Sequence, residues 1–177
     1  MDKLFEQAFN YLLLFEGGFS DDKNDKGGIT KFGISERSYP NIDITQLTLE
    51  EAKNIYYEDF WLKNKCDKII HTRVAIKLFD ISVNTGLKVA ARILQRAVRA
   101  SGIMLSEDGI IGEKTINSVN KIDGGILLSA LKSEIAGYYR IIITKNDRLK
   151  VFENGWLNRA YADIDYYLTK TNNKDKL

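Results

Sequence analysis

Apolar residues recur at steps of three and four along most of this chain, the period of helices that bury one face. Leu4, Phe5, Ala8, Phe9, Leu12 and Phe15 form the first such stripe, with Asp2 placed before it as a cap. The pattern predicts a helix over residues 2–15, stopped by Gly17-Gly18. Residues 19–34 break the period. They are turn-rich, and the short alternation of Ile29, Lys31 and Ile34 suits a small hairpin or an irregular loop. Thr48-Leu49-Glu50-Glu51 has the form of a capping box and opens a helix to about Trp61. A further helix starts at Thr72, with Ala75, Leu78, Phe79 and Ser82 on one side. Leu87, Ala90, Ala91, Leu94, Ala97 and Val98 mark the next, ended near Gly102. Short and long helices follow over about 113–120, 125–145 and 156–168, leaving a polar, frayed tail at 169–177. The expected fold is mainly α, of an α+β kind: a helical globule with one small Gly-rich hairpin or loop near its start.

With 177 residues the chain makes one domain, or one and a small appendage. Hydrophobic residues are 44% and charged residues 28%, the balance of a soluble globular protein. No low-complexity linker or repeat divides it. One Cys, Cys66, rules out an intramolecular disulfide and fits folding in a reducing compartment. One His and one Cys make a structural zinc site improbable, and no metal or cofactor is expected. Leu12-Leu13-Leu14-Phe15 is too short to span a bilayer and lacks the form of a signal peptide. The expectation is a chain made in a cytoplasm without a signal, not inserted in membranes and monomeric.

The net charge of +2 is uneven: residues 1–60 hold 6 Lys/Arg and 12 Asp/Glu, whereas residues 61–100 hold 9 and 2. A basic middle attracts nucleic acid or the anionic polymers of a cell wall. Charges that merely solvate the outer faces of helices give the same count.

The candidate chemistry lies between Glu16 and Thr30. Two carboxylates facing across a cleft are what splitting a glycosidic bond requires. Glu16 follows an apolar run at the C-terminus of the first helix. Burial and the negative end of the helix dipole both favour its protonated form, as a general acid needs. An exposed Glu before a glycine stop reads equally well from these residues. Asp25, nine residues on in a polar, Gly-flanked turn, stays ionised and can steer water; an Asx turn explains it too. Thr30 can hold a water or cap local backbone. Asn84 and Gln95 lie on predicted helices and carry amides suited to N-acetyl and hydroxyl groups, or to buried backbone. Trp156 and the Tyr138–Tyr139 pair can stack on sugars or fill core.

Taken together, Glu16-Gly17-Gly18, Asp25-Lys26-Gly27-Gly28-Ile29-Thr30 and Gly33-Ile34-Ser35 resemble glycoside hydrolase family 108, the N-acetylmuramidases of phage endolysins and bacterial wall-lytic proteins. Tyr56, Phe60-Trp61, the run from Asp80 through Asn84 to Gly86, and Leu94-Gln95 resemble the family's middle. The Asp108–Thr115 and Phe152–Arg159 runs resemble its C-terminal predicted peptidoglycan-binding region. The resemblance covers about residues 1–168. It implies a lysozyme-like catalytic region over 1–85 and a peptidoglycan-binding region over 86–168, packed as one globule. It implies Glu16 as catalytic acid, acting with Asp25 and Thr30, as the same order of residues does in phage-type lysozymes. Lys26 stands beside the motif Asp where the family often has Pro.

The reading that follows is a muramidase acting on peptidoglycan glycan strands, in the context of a phage endolysin that meets the wall after release. A lytic transglycosylase, a glucosaminidase and a non-catalytic wall-binding module are the competing readings. A nucleic-acid partner rests on the basic middle alone and is not expected. Asp108-Gly109-Ile110-Ile111-Gly112 reads as a tight turn delivering Ile110 and Ile111 into a core.

Overall fold

The computed structural model describes residues 2–15 and 30–174, with side chains through Thr169. Among them are eight α-helices and one two-stranded sheet, the mainly α architecture that the periodicity implies. The first helix, α1 (Lys3–Leu13), is capped as expected: the Asp2 carboxylate accepts the Phe5 N–H at 2.7 Å. It buries Phe5, Ala8, Phe9, Tyr11 and Leu12.

The hairpin is minimal. β1 (Thr30–Lys31) and β2 (Ile34–Ser35) pair antiparallel, with Thr30 opposite Ser35. The connecting residues, Phe32 and Gly33, both have positive φ, 53° and 77°, as a two-residue hairpin turn of the right twist demands. Such a φ is strained for phenylalanine. The Tyr56 hydroxyl donates to the Phe32 carbonyl at 2.9 Å and holds the turn against the next helix.

That helix, α2 (Leu49–Tyr56), opens on the predicted capping box, with Thr48 N–H donating to Glu51 and Glu51 N–H to Thr48 Oγ1. The helical path does not stay α to Trp61. Tyr57–Leu62 wind as a π-helical turn, a wider coil that hydrophobic period alone does not announce. It delivers Trp61 into the core at 0% exposure, edge-on to Phe5 and Phe79 at 5.6 and 5.7 Å. Cys66 follows in a short 3-10 turn, fully buried, and burial pushes its thiol well above the usual range. It is a small core residue.

The centre of the globule is α3 (Thr72–Thr85), buried continuously from Val74 to Ser82. It packs on α1 and on two later helices, α4 (Leu87–Ala100) and α6 (Gly124–Lys145). Only Gly86 separates α3 from α4. Its φ of +85° is left-handed territory, which lets the chain turn sharply between two helices. Between α4 and α6 lies α5 (Glu113–Lys121).

Beyond α6 the structure departs from expectation. The single helix expected over 156–168 is two: α7 (Glu153–Tyr161) and α8 (Ile164–Lys174). Ala162 is extended, and the Asp163 carboxylate restarts the helix by accepting N–H bonds from Asp165 and Tyr166. Both halves share one apolar period, so the sequence masks the break. The segment from Thr169, expected to fray, continues α8 to Lys174, and α8 packs back on α1.

Because α6 packs on α3, α4 and α7 and the last helix returns to the first, the chain should unfold as one unit. Scanning calorimetry should give a single transition with equal calorimetric and van't Hoff enthalpies. Two separable transitions would show that residues 86–168 fold independently.

Candidate functional site

Glu16 and Asp25 lie outside the described residues, and the segment that contains them joins Phe15 to Thr30. Both flanking residues are placed. After α1 the chain turns through Leu14 and Phe15, whose N–H groups donate to Tyr11 and Leu12 carbonyls. The Phe15 ring rests against Tyr11 and Tyr167, at 5.2 and 5.4 Å. The Arg159 guanidinium lies 5.5 Å from its centre. Thr30 opens β1, half-buried, on the hairpin anchored by Tyr56.

Arg159 leads into a buried ionic cluster that the hydrophobic pattern did not single out. Its Nε and Nη2 donate to Asp80 Oδ1 at 2.9 and 2.8 Å. Lys77, fully buried on the same helix as Asp80, donates to Tyr11 Oη at 2.9 Å and to the Arg159 carbonyl at 2.8 Å. Its amine also lies 3.4 Å from Asp80 Oδ2. Burial holds the Lys77 pKa below its ordinary value, and the Asp80 carboxylate offsets only part of that. Burial, then the Asp80 charge, pushes the Tyr11 phenol far above its ordinary value, so it stays neutral and can accept from Lys77. Three elements are thus joined: α1 through Tyr11, α3 through Lys77 and Asp80, α7 through Arg159. A charged pair spaced i, i+3 within the apolar run from Val74 to Ser82 was the available signal.

Asn84 lies one helical turn beyond Asp80 on α3. It is exposed, and its Oδ1 accepts the Tyr139 hydroxyl at 2.8 Å. The buried Tyr139 ring stacks on Trp156 at 5.1 Å, and Trp156 on Phe152 at 5.5 Å, both with planes 23° apart. The aromatic pair Tyr138–Tyr139 and Trp156 therefore divide between core and surface, as neither reading alone foresaw.

Gln95 is placed elsewhere, at 1% exposure on the far side of α4. Its amide nitrogen donates to Asp108 Oδ1 at 2.7 Å and the Ile110 carbonyl at 3.1 Å, and its oxygen accepts from Gly109 N–H at 2.9 Å. In this structure both ends of the amide hold the Asp108-Gly109 turn. That turn is as tight as expected, with Gly109 at φ +78° and packed so closely that a Cβ would lie 2.8 Å from Lys88 Cγ. It delivers only one of its two isoleucines inward: Ile111 is buried, but Ile110 is 68% exposed. Successive residues at this extended stretch point to opposite sides.

Among the described residues no cluster of three or more His, Cys, Asp and Glu is arranged to hold a metal ion, and no helix is long and apolar enough to cross a membrane. The site residues that the structure does bring together form a seam between α3 and α7, ionic at depth and aromatic at the surface.

Comparison with known proteins divides the chain at this seam. Residues 9–86 match the family model described as Glycosyl hydrolase 108. Residues 89–161 match the model described as Predicted Peptidoglycan domain. Among solved structures, SagA of Brucella abortus is similar at 25% identity, covering 93% of this chain and 94% of that one, with a TM-score of 0.74. No curated protein matches the chain.

Asp80 is the carboxylate that meets the fully buried Lys77 amine, and it also accepts from Arg159. Asp80→Asn should therefore destabilise the fold by about 3–5 kcal/mol, the cost of leaving the buried Lys77 amine without its counter-charge. Urea denaturation measures it; a loss under about 1 kcal/mol would show that the cluster is not a structural clamp.

Proposed function

We propose that this peptidoglycan hydrolase, a glycosyl hydrolase 108 region joined to a predicted peptidoglycan domain, is an N-acetylmuramidase that cuts the β-1,4 bond between N-acetylmuramic acid and N-acetylglucosamine. The observation that carries the reading is the coincidence of the hydrolase match with the Glu16–Asp25 carboxylate pair inside it. Glu16 is the general acid. It follows directly on Phe15, whose ring is held among Tyr11, Tyr167 and Arg159, so the chain enters the motif from a fixed point. Its proton goes to the glycosidic oxygen as the bond to the anomeric carbon breaks. Asp25 takes a proton from the water that attacks the opposite face, giving inversion. Thr30 helps to hold that water. The wider context we propose is a phage endolysin reaching the wall after release, supported by a compact single-cysteine chain that needs no disulfide.

Glu16→Gln keeps the shape of the side chain and removes the transferable proton. It should slow wall lysis by about 100-fold or more, with unchanged thermal stability. A folded variant that clears walls at the parent rate would remove the acid from Glu16. Asp25→Asn should also lose activity while remaining folded. Survival of activity in Asp25→Asn, with loss of stability in Asp25→Ala, would mark Asp25 as a turn residue.

Mass analysis of fragments released from purified peptidoglycan should show reducing-end muramic acid. Anhydro-muramic ends would establish a lytic transglycosylase instead, and reducing-end glucosamine a glucosaminidase. The first-formed product should be the α anomer by NMR, and a β anomer would mean retention.

A further inference from the structure

Phe15 directly precedes Glu16, and its own helix holds it only loosely. α1 ends at Leu13, so Phe15 stands two residues past the helix, tied back by one hydrogen bond from its N–H to the Leu12 carbonyl at 3.0 Å. Its half-buried side chain is held by groups from three elements: Tyr11 on α1, Arg159 on α7 and Tyr167 on α8. Of these, only Tyr11 lies within the hydrolase match at 9–86. Arg159 lies within the predicted peptidoglycan domain at 89–161, and Tyr167 lies beyond both.

Arg159 is the stiffest of the three. It is buried, its Nε and Nη2 both donate to Asp80 Oδ1, and its carbonyl accepts from Lys77. A free arginine would lose rotamer entropy to lie over a ring. Here the Asp80 carboxylate has already fixed the guanidinium, and its centre lies 5.5 Å from that of the Phe15 ring. A planar cation over an aromatic face is attracted by the ring quadrupole and by dispersion, a contact that a lysine ammonium does not reproduce.

We propose that Arg159 is a positioning residue for the hydrolysis: fixed by Asp80, it clamps Phe15 and so sets where the chain delivers Glu16. The proposal rests on the reading of Glu16 as the general acid. One peptide link, about 3.8 Å between Cα atoms, separates the clamped residue from the acid. A general acid works only within hydrogen-bond reach of the oxygen it protonates, and a misplacement of about 1 Å can cost about 100-fold in rate. The region matched as a predicted peptidoglycan domain thereby enters the rate of bond cleavage itself.

The test separates positioning from stability by striking the clamp at its outer end. Phe15→Leu, in the full chain, removes the ring and leaves the Asp80–Arg159–Lys77 cluster intact. On soluble, uncross-linked peptidoglycan strands it should lower kcat about tenfold or more with KM within about twofold, while circular dichroism shows a folded protein. Phe15→Tyr restores a ring and should regain most of the lost kcat. Arg159→Lys keeps a cation for Asp80, loses the planar face and should lower kcat in the same way. Because the two side chains act as one clamp, the double variant Phe15→Leu/Arg159→Lys should lose no more kcat than the worse single variant.

A folded Phe15→Leu protein with the parent kcat would overturn the clamp. So would a loss confined to KM, or single losses that multiply in the double variant. Should Phe15→Leu fail to fold, Phe15→Met fills the same space with a flexible chain and must show the same fall in kcat. Failure of the catalytic reading looks different: the Glu16→Gln protein would then lyse walls at the parent rate. An inactive Glu16→Gln beside a fully active Phe15→Leu would remove the clamp alone.

Discussion

One carboxylate organises this fold. Asp80 sits on the central helix, shut away from water, and answers two cations, Arg159 on α7 and Lys77 on its own helix. Removing such charges from water costs several kcal/mol per ion, and the pairing offsets this only with good geometry and further hydrogen bonds. Both are present. Arg159 uses two nitrogens on Asp80, and Lys77 uses Tyr11 and the Arg159 carbonyl as well. The cluster is therefore less a source of net stability than a registration device. A shift of α7 along α3 would break the two Arg159–Asp80 contacts and the Lys77 bond to the Arg159 carbonyl together, which favours one relative position of the helices.

That register has consequences at both ends of the seam. Toward α1, Tyr11 and Arg159 both touch Phe15, the last described residue before the Glu16 motif. Toward the surface, the turn of α3 that carries Asp80 is followed by the turn that carries Asn84. The turn of α7 that carries Arg159 is preceded by the one that carries Trp156. Asn84 meets the aromatic stack through Tyr139 on α6, the helix that packs on both α3 and α7. The two matched regions are joined through the Asp80–Arg159 contact.

The short elements around this frame obey local rules. Thr48 and Glu51 cap each other, Asp2 caps α1, and Asp163 restarts the helix after Ala162. Two left-handed glycines, Gly86 and Gly109, turn the chain where a side chain would be strained, and at Gly109 would also clash. The hairpin uses a phenylalanine in a position better suited to glycine, and the Tyr56 hydrogen bond to its carbonyl helps to hold it there.

Local chemistry and period were enough to read α1, the start of α2, α3, α4, α5 and α6 from the sequence, because a cap and an apolar stripe are properties of residues a few positions apart. The Asp-Gly turn at 108–109 was legible for the same reason, as a motif, whereas Glu16 and Asp25 lie outside the described residues. The break at Ala162, the π-helical turn ahead of Trp61 and the outward face of Ile110 were not, since the apolar period runs on through each of them. Nor did the sequence tell Asn84 from Gln95, two amides on neighbouring helices. Tertiary packing separated them, turning Gln95 inward to hold a turn and leaving Asn84 at the surface beside an aromatic stack. The pairing of Asp80 with Arg159, 79 residues apart, belongs to the same class. A charge within a helix declares its own presence, but only the folded chain decides which distant partner makes its burial tolerable.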